Sequence, residues 1–232
     1  MYTTELSSVR GLPIFAGLSD ADLTGLLSSA RASRHLKHAR VFMQGDPAVS
    51  FFVLVDGYVQ AIKTTATGQE IVVRYVSPGE LFGLAPAIGL THYPATALAV
   101  VDAVTLGWPS ANWPTLSAGY PQIATYALRT VGARLQEAHE RVVELTTEEV
   151  EQRIARVLGR LAAQAGRATA KGTEIEFPLR RQDVAQLAGT TLHSASRVLS
   201  RFEGQGLITS AHQHIVVCNA PALLHIAEDG VS

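Results

Sequence analysis

The 232-residue chain has little of what marks several classes of protein. Its single cysteine, Cys218, excludes an internal disulfide and a metal or iron–sulfur site held by several thiolates. Its longest apolar runs are far shorter than the ~20 residues that cross a membrane, and residues 1–10 lack the apolar core of a signal peptide. We therefore expect a cytoplasmic protein with no membrane partner.

Sequence motifs of enzymes are also scarce. The chain has no nucleophile elbow, no P-loop and no dinucleotide fingerprint. Its nearest glycine-rich match, LFGLAPAIGL at 81–90, lacks the strand–turn–helix context and the acidic partner of such a fingerprint. We expect neither an enzyme nor a metal site.

The net charge of −1 is unevenly distributed along the chain. Residues 1–150 carry ten basic and thirteen acidic side chains, whereas residues 151–232 carry nine basic and seven acidic ones and four of the eight histidines. The small positive excess of the second part predicts weak non-specific attraction to nucleic acid. A dimer would double the phosphate contacts.

Residues 179–208 predict two short helices around one glycine. Val184 and Leu187 give the first helix an apolar stripe, Gly189 supplies a positive φ at its end, and Thr191 is placed to cap the second helix. Four apolar residues then recur on one face of that second helix: Ala195, Val198, Leu199 and Phe202. This layout is typical of a DNA-binding helix-turn-helix.

The opposite face of the second helix carries hydrogen-bond donors, namely His193, Ser194, Ser196, Arg197 and Arg201. Such donors suit phosphate oxygens and purine edges in a major groove. An ordinary helical hairpin with a solvated polar face is the alternative. Residues 207–209 and 215–217 favour the first interpretation, because they predict a β-hairpin that would complete a winged helix.

The first half of the chain has a different pattern. Ser19 marks the start of a short helix, and short strands separated by glycine turns then predict an antiparallel sandwich or barrel. Four glycines mark its corners: Gly45, Gly57, Gly68 and Gly79.

From Ala118 the pattern becomes helical, with an apolar seam formed by Leu128, Val131, Leu135, Ala138, Val142 and Leu145. We interpret the seam as that of a parallel homodimer; a helix packed on its own domain is the alternative. Thr146 or Thr147 is expected to cap a further helix that runs to about Ala165. Residues 166–174 are expected to form a polar loop.

These elements give an α+β fold: an antiparallel β-barrel of the jelly-roll kind, a long dimerisation helix and a C-terminal winged helix-turn-helix. In that order, and with the segments RRQDVAQLAG, SRVLSRFEGQGLI and VDGYVQ, the chain resembles the Crp/Fnr superfamily of transcription factors. The expected boundaries are an effector-sensing domain at 1–117, the dimerisation helix at 118–147 and the DNA-binding domain at 148–232. GTTLHSASRVLS and HYPATALAV are most similar to the nitrite and nitric oxide reductase regulators.

The resemblance implies a homodimer on a palindromic DNA operator, with RNA polymerase as a further partner if the protein is an activator. Arg197 falls at the position of the guanine-contacting arginine, whose guanidinium matches guanine O6 and N7 and contributes about 1–3 kcal/mol of discrimination. Ser196 falls at a thymine-contacting position. The candidates for phosphate contacts are Arg181, Gln182, Thr191, Ser194 and Arg201. We expect TTG-like half-sites.

The sequence departs from its relatives at several of these positions. His193 stands where many relatives have a glutamate that accepts from cytosine or adenine, which leaves the base preference beyond the guanine open. Leu192 stands where the cyclic-AMP branch has a second arginine. Nucleotide-binding relatives have a glutamate and an Arg-Ser pair where this chain has Leu84, Pro94 and Ala95. We expect no cyclic nucleotide and, without N-terminal cysteines, no iron–sulfur cluster.

The similarity to nitric oxide regulators implies haem as the cofactor and nitric oxide or redox state as the signal. A histidine or tyrosine would be the axial ligand. His92 and Tyr93 are the first candidates, followed by His35 and His38. The alternative is a regulator without an effector, controlled by its abundance or by oxidation of Cys218.

Overall fold

The computed structural model describes residues 9–229, which divide into two compact units. One comprises the described part of Met1–Glu70 together with Arg74–Leu135, and the other comprises Ile71–Val73 and the described part of Gln136–Ser232. Within residues 9–229, no helix combines the length and the apolar character needed to cross a membrane.

In the first unit, a short helix precedes a series of antiparallel strands. Helix α1 (Asp20–Ser28) is capped as expected, because the Ser19 hydroxyl accepts from the Asp22 N–H. Eight strands follow: β1 (Arg31–His35), β2 (Arg40–Phe42), β3 (Ser50–Asp56), β4 (Val59–Thr64), β5 (Glu70–Val76), β6 (Leu81–Phe82), β7 (Thr96–Ala99) and β8 (Ala103–Pro109).

These strands form two four-stranded sheets in the orders β1-β8-β3-β6 and β2-β7-β4-β5. Successive side chains of β3 point to opposite faces of the sheet and pack in different apolar clusters. Val53 packs in the cluster that includes α1, and Leu54 packs in a second cluster with Val59 and Ala97. The predicted fold class is confirmed, although the sheets form a jelly-roll-like pair and not a closed barrel.

The four glycines predicted to mark corners all have positive φ, between 81° and 86°. At Gly57, between β3 and β4, a Cβ would lie 2.2 Å from the Asp102 carbonyl oxygen. At Gly68 a Cβ would meet no atom within 4 Å. Gly57 is therefore required both by its φ and by the close approach of another backbone segment.

Two helices follow the sheets. Helix α2 (Trp113–Gly119) is short, and the long helix α3 (Pro121–Thr147) begins at Pro121, not at Ala118 as the apolar pattern suggested. Tyr120 leaves the helical conformation between them, and proline is well suited to the first turn of a helix. The first turns of α3 pack Ile123 and Ala127 into the core of the first unit.

The second unit is a winged helix. Its elements are α4 (Val150–Ala165), β9 (Gly166–Thr169), β10 (Gly172–Ile175), α5 (Arg181–Leu187), α6 (Leu192–Gly204), β11 (Ile208–Ala211), β12 (His214–Val217) and α7 (Ala220–Asp229). The strands form one sheet in the order β11-β12-β10-β9. The fully buried side chains Ile154, Leu158, Val184 and Phe202 come from α4, α5 and α6.

Two expectations about this unit were wrong. Residues 166–174 form the hairpin β9–β10 and not a loop, because β10 also pairs with β12, a partner that composition cannot reveal. Helix α4 is capped by Glu149 through a capping box with Gln152. The Thr147 hydroxyl instead donates to the Val143 carbonyl inside α3.

We expect Gly57→Ala to lower the free energy of unfolding by about 2–4 kcal/mol and Gly68→Ala by about 1–2 kcal/mol. Both place a side chain at a left-handed φ, but only the first pushes it into a backbone atom. Urea unfolding followed by tryptophan fluorescence measures this, since Trp108 and Trp113 both lie in the first unit. Equal losses in the two variants would contradict the steric argument.

Candidate nucleic-acid interface

Helix α6 has the N-terminal cap that the sequence predicted. The Thr191 hydroxyl oxygen accepts from the Ser194 N–H at 3.1 Å and donates to the Ser194 hydroxyl at 3.1 Å. This capping fixes the first turn of α6, which in a helix-turn-helix is the part that meets base edges.

The two faces of α6 differ as the sequence predicted. The apolar face is buried, with Ala195, Val198, Leu199 and Phe202 at most 4% exposed. His193 and Arg197 lie one turn apart on the outer face and are exposed. Within residues 9–229, neither side chain makes a hydrogen bond or an ion pair, so their donors are available to a ligand.

Arg181, a predicted phosphate contact, is engaged inside the domain. Its guanidinium donates to the Ser196 carbonyl and the Ser200 hydroxyl at 2.9 Å and to both Glu203 carboxylate oxygens at 3.1 Å. These bonds brace the start of α5 against α6. A phosphate contact by Arg181 stays a prediction, and it would have to share or replace these partners.

The remaining predicted DNA-contacting residues differ in whether their polar groups are already bound or buried within the protein. Arg201 forms an ion pair with Glu151 of α4, whose side chain is buried. Gln182 is half-buried in the first turn of α5, and Ser196 is half-buried on α6. All of the predicted DNA-contacting residues thus lie on α5, on α6 or at the cap of α6, but only some present free polar groups.

The predicted β-hairpin of the wing is present as β11 and β12, and the conformation of its turn is what the sequence analysis missed. His212 and Gln213 join β11 to β12 with φ of 51° and 69°, and the Leu179 N–H before α5 donates to the Gln213 carbonyl at 2.7 Å. A cavity of about 290 Å³ lies between this turn, Leu179 and Leu199. The left-handed conformation of these two residues had no sequence signal, because tight hairpin turns of this kind usually contain glycine.

The predicted dimer seam lies on α3 as an exposed apolar stripe. Leu128, Leu135 and Val142 follow one another at intervals of seven residues and are 74%, 58% and 61% exposed. Ala138 is exposed as well. Two members differ: Val131 packs partly against the core of the first unit, and Leu145 covers Gly189, where a Cβ would lie 2.3 Å from its Cδ2 atom.

The first unit holds an aromatic cluster, which we define as Phe42, Phe52, Phe82 and Tyr93. The rings of Phe42 and Tyr93 stack at 3.8 Å between centroids, and Phe52 lies 5.7 Å from Phe42 and 5.4 Å from Phe82. Leu84, at the position of the ribose-binding glutamate of nucleotide-binding relatives, is buried among apolar side chains.

Tyr93 does not suit the role of a haem ligand. Its hydroxyl donates to the Ser50 carbonyl at 2.6 Å and accepts from the Ser50 N–H at 3.1 Å. Burial raises the pKa of this phenol, which disfavours the phenolate that would bind iron. The aromatic ring is also covered by Phe42.

The three candidate histidines are not brought together. His35 shares a hydrogen bond of 2.9 Å with the Thr105 hydroxyl, and burial lowers its pKa. His92 is exposed, with Nδ1 2.8 Å from the Thr91 hydroxyl, and His38 is exposed in a turn with a φ of 69°. In the described part of the chain, no group of three or more His, Cys, Asp or Glu side chains could hold a metal ion.

Comparison with known proteins agrees with this architecture. Residues 33–118 match the family model of the cyclic nucleotide-binding domain, and residues 152–226 match that of the Crp-like helix-turn-helix domain. The cyclic AMP receptor protein of Thermus thermophilus is 28% identical over 219 residues, which cover 94% of this chain and 98% of that protein.

Two further relatives extend the comparison. The transcriptional activator protein FnrA of Stutzerimonas stutzeri is 24% identical over 221 residues, covering 95% of this chain and 90% of that protein. The structure of FixK2 from Bradyrhizobium japonicum has the same fold, with a TM-score of 0.75 over 87% of this chain and 99% of that chain at 22% identity. With both domains matched in order, and with relatives along nearly its whole length, the chain has the domain composition and the sequence similarity of a Crp/Fnr-type DNA-binding transcription regulator.

Proposed function

We propose that this DNA-binding regulator acts as a homodimer on a palindromic operator with TTG-like half-sites. The observation that carries the proposal is the outer face of α6. There Arg197 is exposed and has no partner among the described residues, on a helix whose opposite face is fully packed. A guanidinium held in this way is free to donate two parallel hydrogen bonds to guanine O6 and N7.

The neighbours of Arg197 supply the other contacts in this proposal. Ser196 and His193 face adjacent base pairs, and Ser194 lies at the capped start of the helix, near the phosphate backbone. The weakly positive second part of the chain favours duplex DNA without binding it tightly. Two copies on one operator would therefore bind far more tightly than one copy.

The stripe on α3 supports the homodimer. Its three large side chains recur every seven residues, which is the spacing of a two-stranded coiled coil. Burying such a side chain contributes about 1.5–3 kcal/mol. Six of them, three from each copy, are therefore sufficient to hold a dimer.

The signal is a separate question. The resemblance to nitric oxide regulators implies haem, and of the four candidate ligands His92 and His38 are exposed. The aromatic cluster favours the alternative, a regulator controlled by its abundance, because the ring of Phe42 stacks on those of Phe82 and Tyr93 and so covers Tyr93, one of the candidate ligands. In that alternative Cys218 is the oxidisable group. Its half-buried thiol lies 3.9 Å from the Thr209 hydroxyl in the wing.

We expect Arg197→Lys to weaken discrimination between the operator and a duplex in which the guanine of each TTG-like half-site is replaced by adenine. The lysine keeps the charge but lacks the two parallel N–H donors of the guanidinium, so the preference for guanine should fall by about 5- to 150-fold per half-site. Fluorescence anisotropy at fixed salt measures it. Arg167→Lys is the control, since Arg167 is an exposed arginine of β9 paired with Glu174. Retained discrimination in Arg197→Lys would refute the assignment.

We expect Leu135→Glu to convert the dimer into a monomer at micromolar concentration, because it places two carboxylates opposite each other in the seam. Val143→Glu is a matched control: Val143 is on the same helix and is also 58% exposed, but lies off the stripe. Sedimentation equilibrium distinguishes the two. A dimeric Leu135→Glu would mean that α3 does not form the interface.

We expect titration with haemin to give no stoichiometric Soret band for which His92 is required. The reason is that the Tyr93 hydroxyl is hydrogen-bonded to Ser50 and the aromatic cluster is closely packed. His92→Ala and His38→Ala are compared with the wild-type chain by absorption spectroscopy. A band that is lost only in His92→Ala and shifts with nitric oxide would establish haem sensing. Peroxide treatment of the wild-type chain and Cys218→Ser, followed by the DNA-binding assay, tests oxidative control.

A further inference from the structure

The end of α5, where the helix-turn-helix makes its turn, is held by arginines from two other helices of the second unit. Arg141 of α3 donates through Nη2 to the carbonyls of Gln186 and Leu187, at 2.9 and 2.5 Å. Arg153 of α4 donates through Nε to the next carbonyl, that of Ala188, at 2.9 Å. Three successive carbonyls at the end of the helix thus accept from arginine side chains, and the first of them, that of Gln186, also accepts from the Gly189 N–H at 3.2 Å.

Arg141, like Arg153, donates to backbone carbonyls. Its other amino group donates to the Val73 carbonyl at 3.0 Å, within the same unit, so its acceptors are neutral carbonyl oxygens and not carboxylates. Burial lowers the pKa of this guanidinium, nearby Arg160 adds to the effect and Glu144 opposes it. A desolvated cation is retained here because a planar guanidinium meets three carbonyls in fixed directions, which an ammonium group cannot do.

A second contact fixes the same turn. Leu145 lies one helical turn after Arg141 on α3, and its side chain covers Gly189 so closely that a Cβ at Gly189 would clash with it. The turn is therefore attached to α3 by directional hydrogen bonds and by close packing, in addition to the chain connection through α4.

We infer that Arg141 is a positioning residue: it fixes the helix-turn-helix to the dimerisation helix and thereby sets the half-site separation that the dimer accepts. This inference rests on the proposed homodimer. Val142, the next residue, belongs to the exposed stripe, so the side chain that would pair with the partner copy and the side chain that holds the turn are neighbours. The two α6 helices of a dimer would then keep a constant distance, as a palindrome with half-sites about one duplex turn apart requires.

The test compares palindromes whose half-sites are moved apart or together by one and two base pairs, together with a duplex that has one half-site. We expect the wild-type chain to lose about tenfold in affinity or more for each base pair of displacement. Arg141→Met keeps the length and apolar stem of the side chain and removes its donors. We expect the displacement penalty to fall to about threefold in this variant, with unchanged affinity for the single half-site.

Three further variants complete the design. Arg129→Met is the matched control, because Arg129 is an exposed arginine of α3 with no partner among the described residues, and it should keep the wild-type spacing preference. Arg153→Met removes the bond to the Ala188 carbonyl, together with a bond to the Glu148 carbonyl, but leaves the three Arg141 bonds in place, so it should relax the preference partly. Arg141→Lys retains the charge and at most one or two of the bonds, and it carries the test if Arg141→Met does not fold.

The outcomes separate the inference from the proposed function. Unchanged spacing preference in folded, dimeric Arg141→Met, or in Arg141→Lys where the first variant does not fold, overturns the positioning role alone. Equal weakening on every duplex, including the single half-site, also overturns it, since that is the effect of a purely structural residue. A wild-type chain that is monomeric, or indifferent to palindromes, overturns both proposals.

Discussion

Burial of one face of α6 is the constraint on which the rest of the site depends. Its apolar residues recur at helical spacing and pack against α4 and α5, which leaves a single rotation of the helix about its axis. That rotation determines that His193 and Arg197 face outward. The cap at Thr191 then determines where the helix begins, and hence which side chains occupy its first turn.

Most of the basic side chains in the second part of the chain bind other groups of the protein itself. Among its basic residues, Arg156, Arg160, Arg167, Arg180, Arg181 and Arg201 form ion pairs, and Arg153 binds carbonyl groups. The formal charge therefore overstates the attraction to phosphate. Affinity for DNA in such a domain has to come from a few well-placed contacts, which makes the position of each helix more important than the number of cations.

Features set by local chemistry could be predicted from the sequence, and features set by distant partners could not. The corner glycines, the caps at Ser19 and Thr191 and the two faces of α6 follow from φ preferences, hydroxyl acceptors and periodicity. The hairpin β9–β10 depends on pairing with β12, about forty residues further along the chain. Likewise, Arg181 could be predicted as a basic residue at the start of α5, but its capture by Glu203 depends on how two helices pack.

A small local arrangement fixes the conformation of the turn in the wing. His212 and Gln213 both adopt a left-handed φ without being glycine, a conformation that costs about 1–2 kcal/mol per residue. The bond from Leu179 to the Gln213 carbonyl holds the tip in place before any duplex arrives. The conformational entropy that a loose loop would lose on becoming ordered has therefore already been lost in the free protein, so any ligand that met the wing would find its turn preorganised.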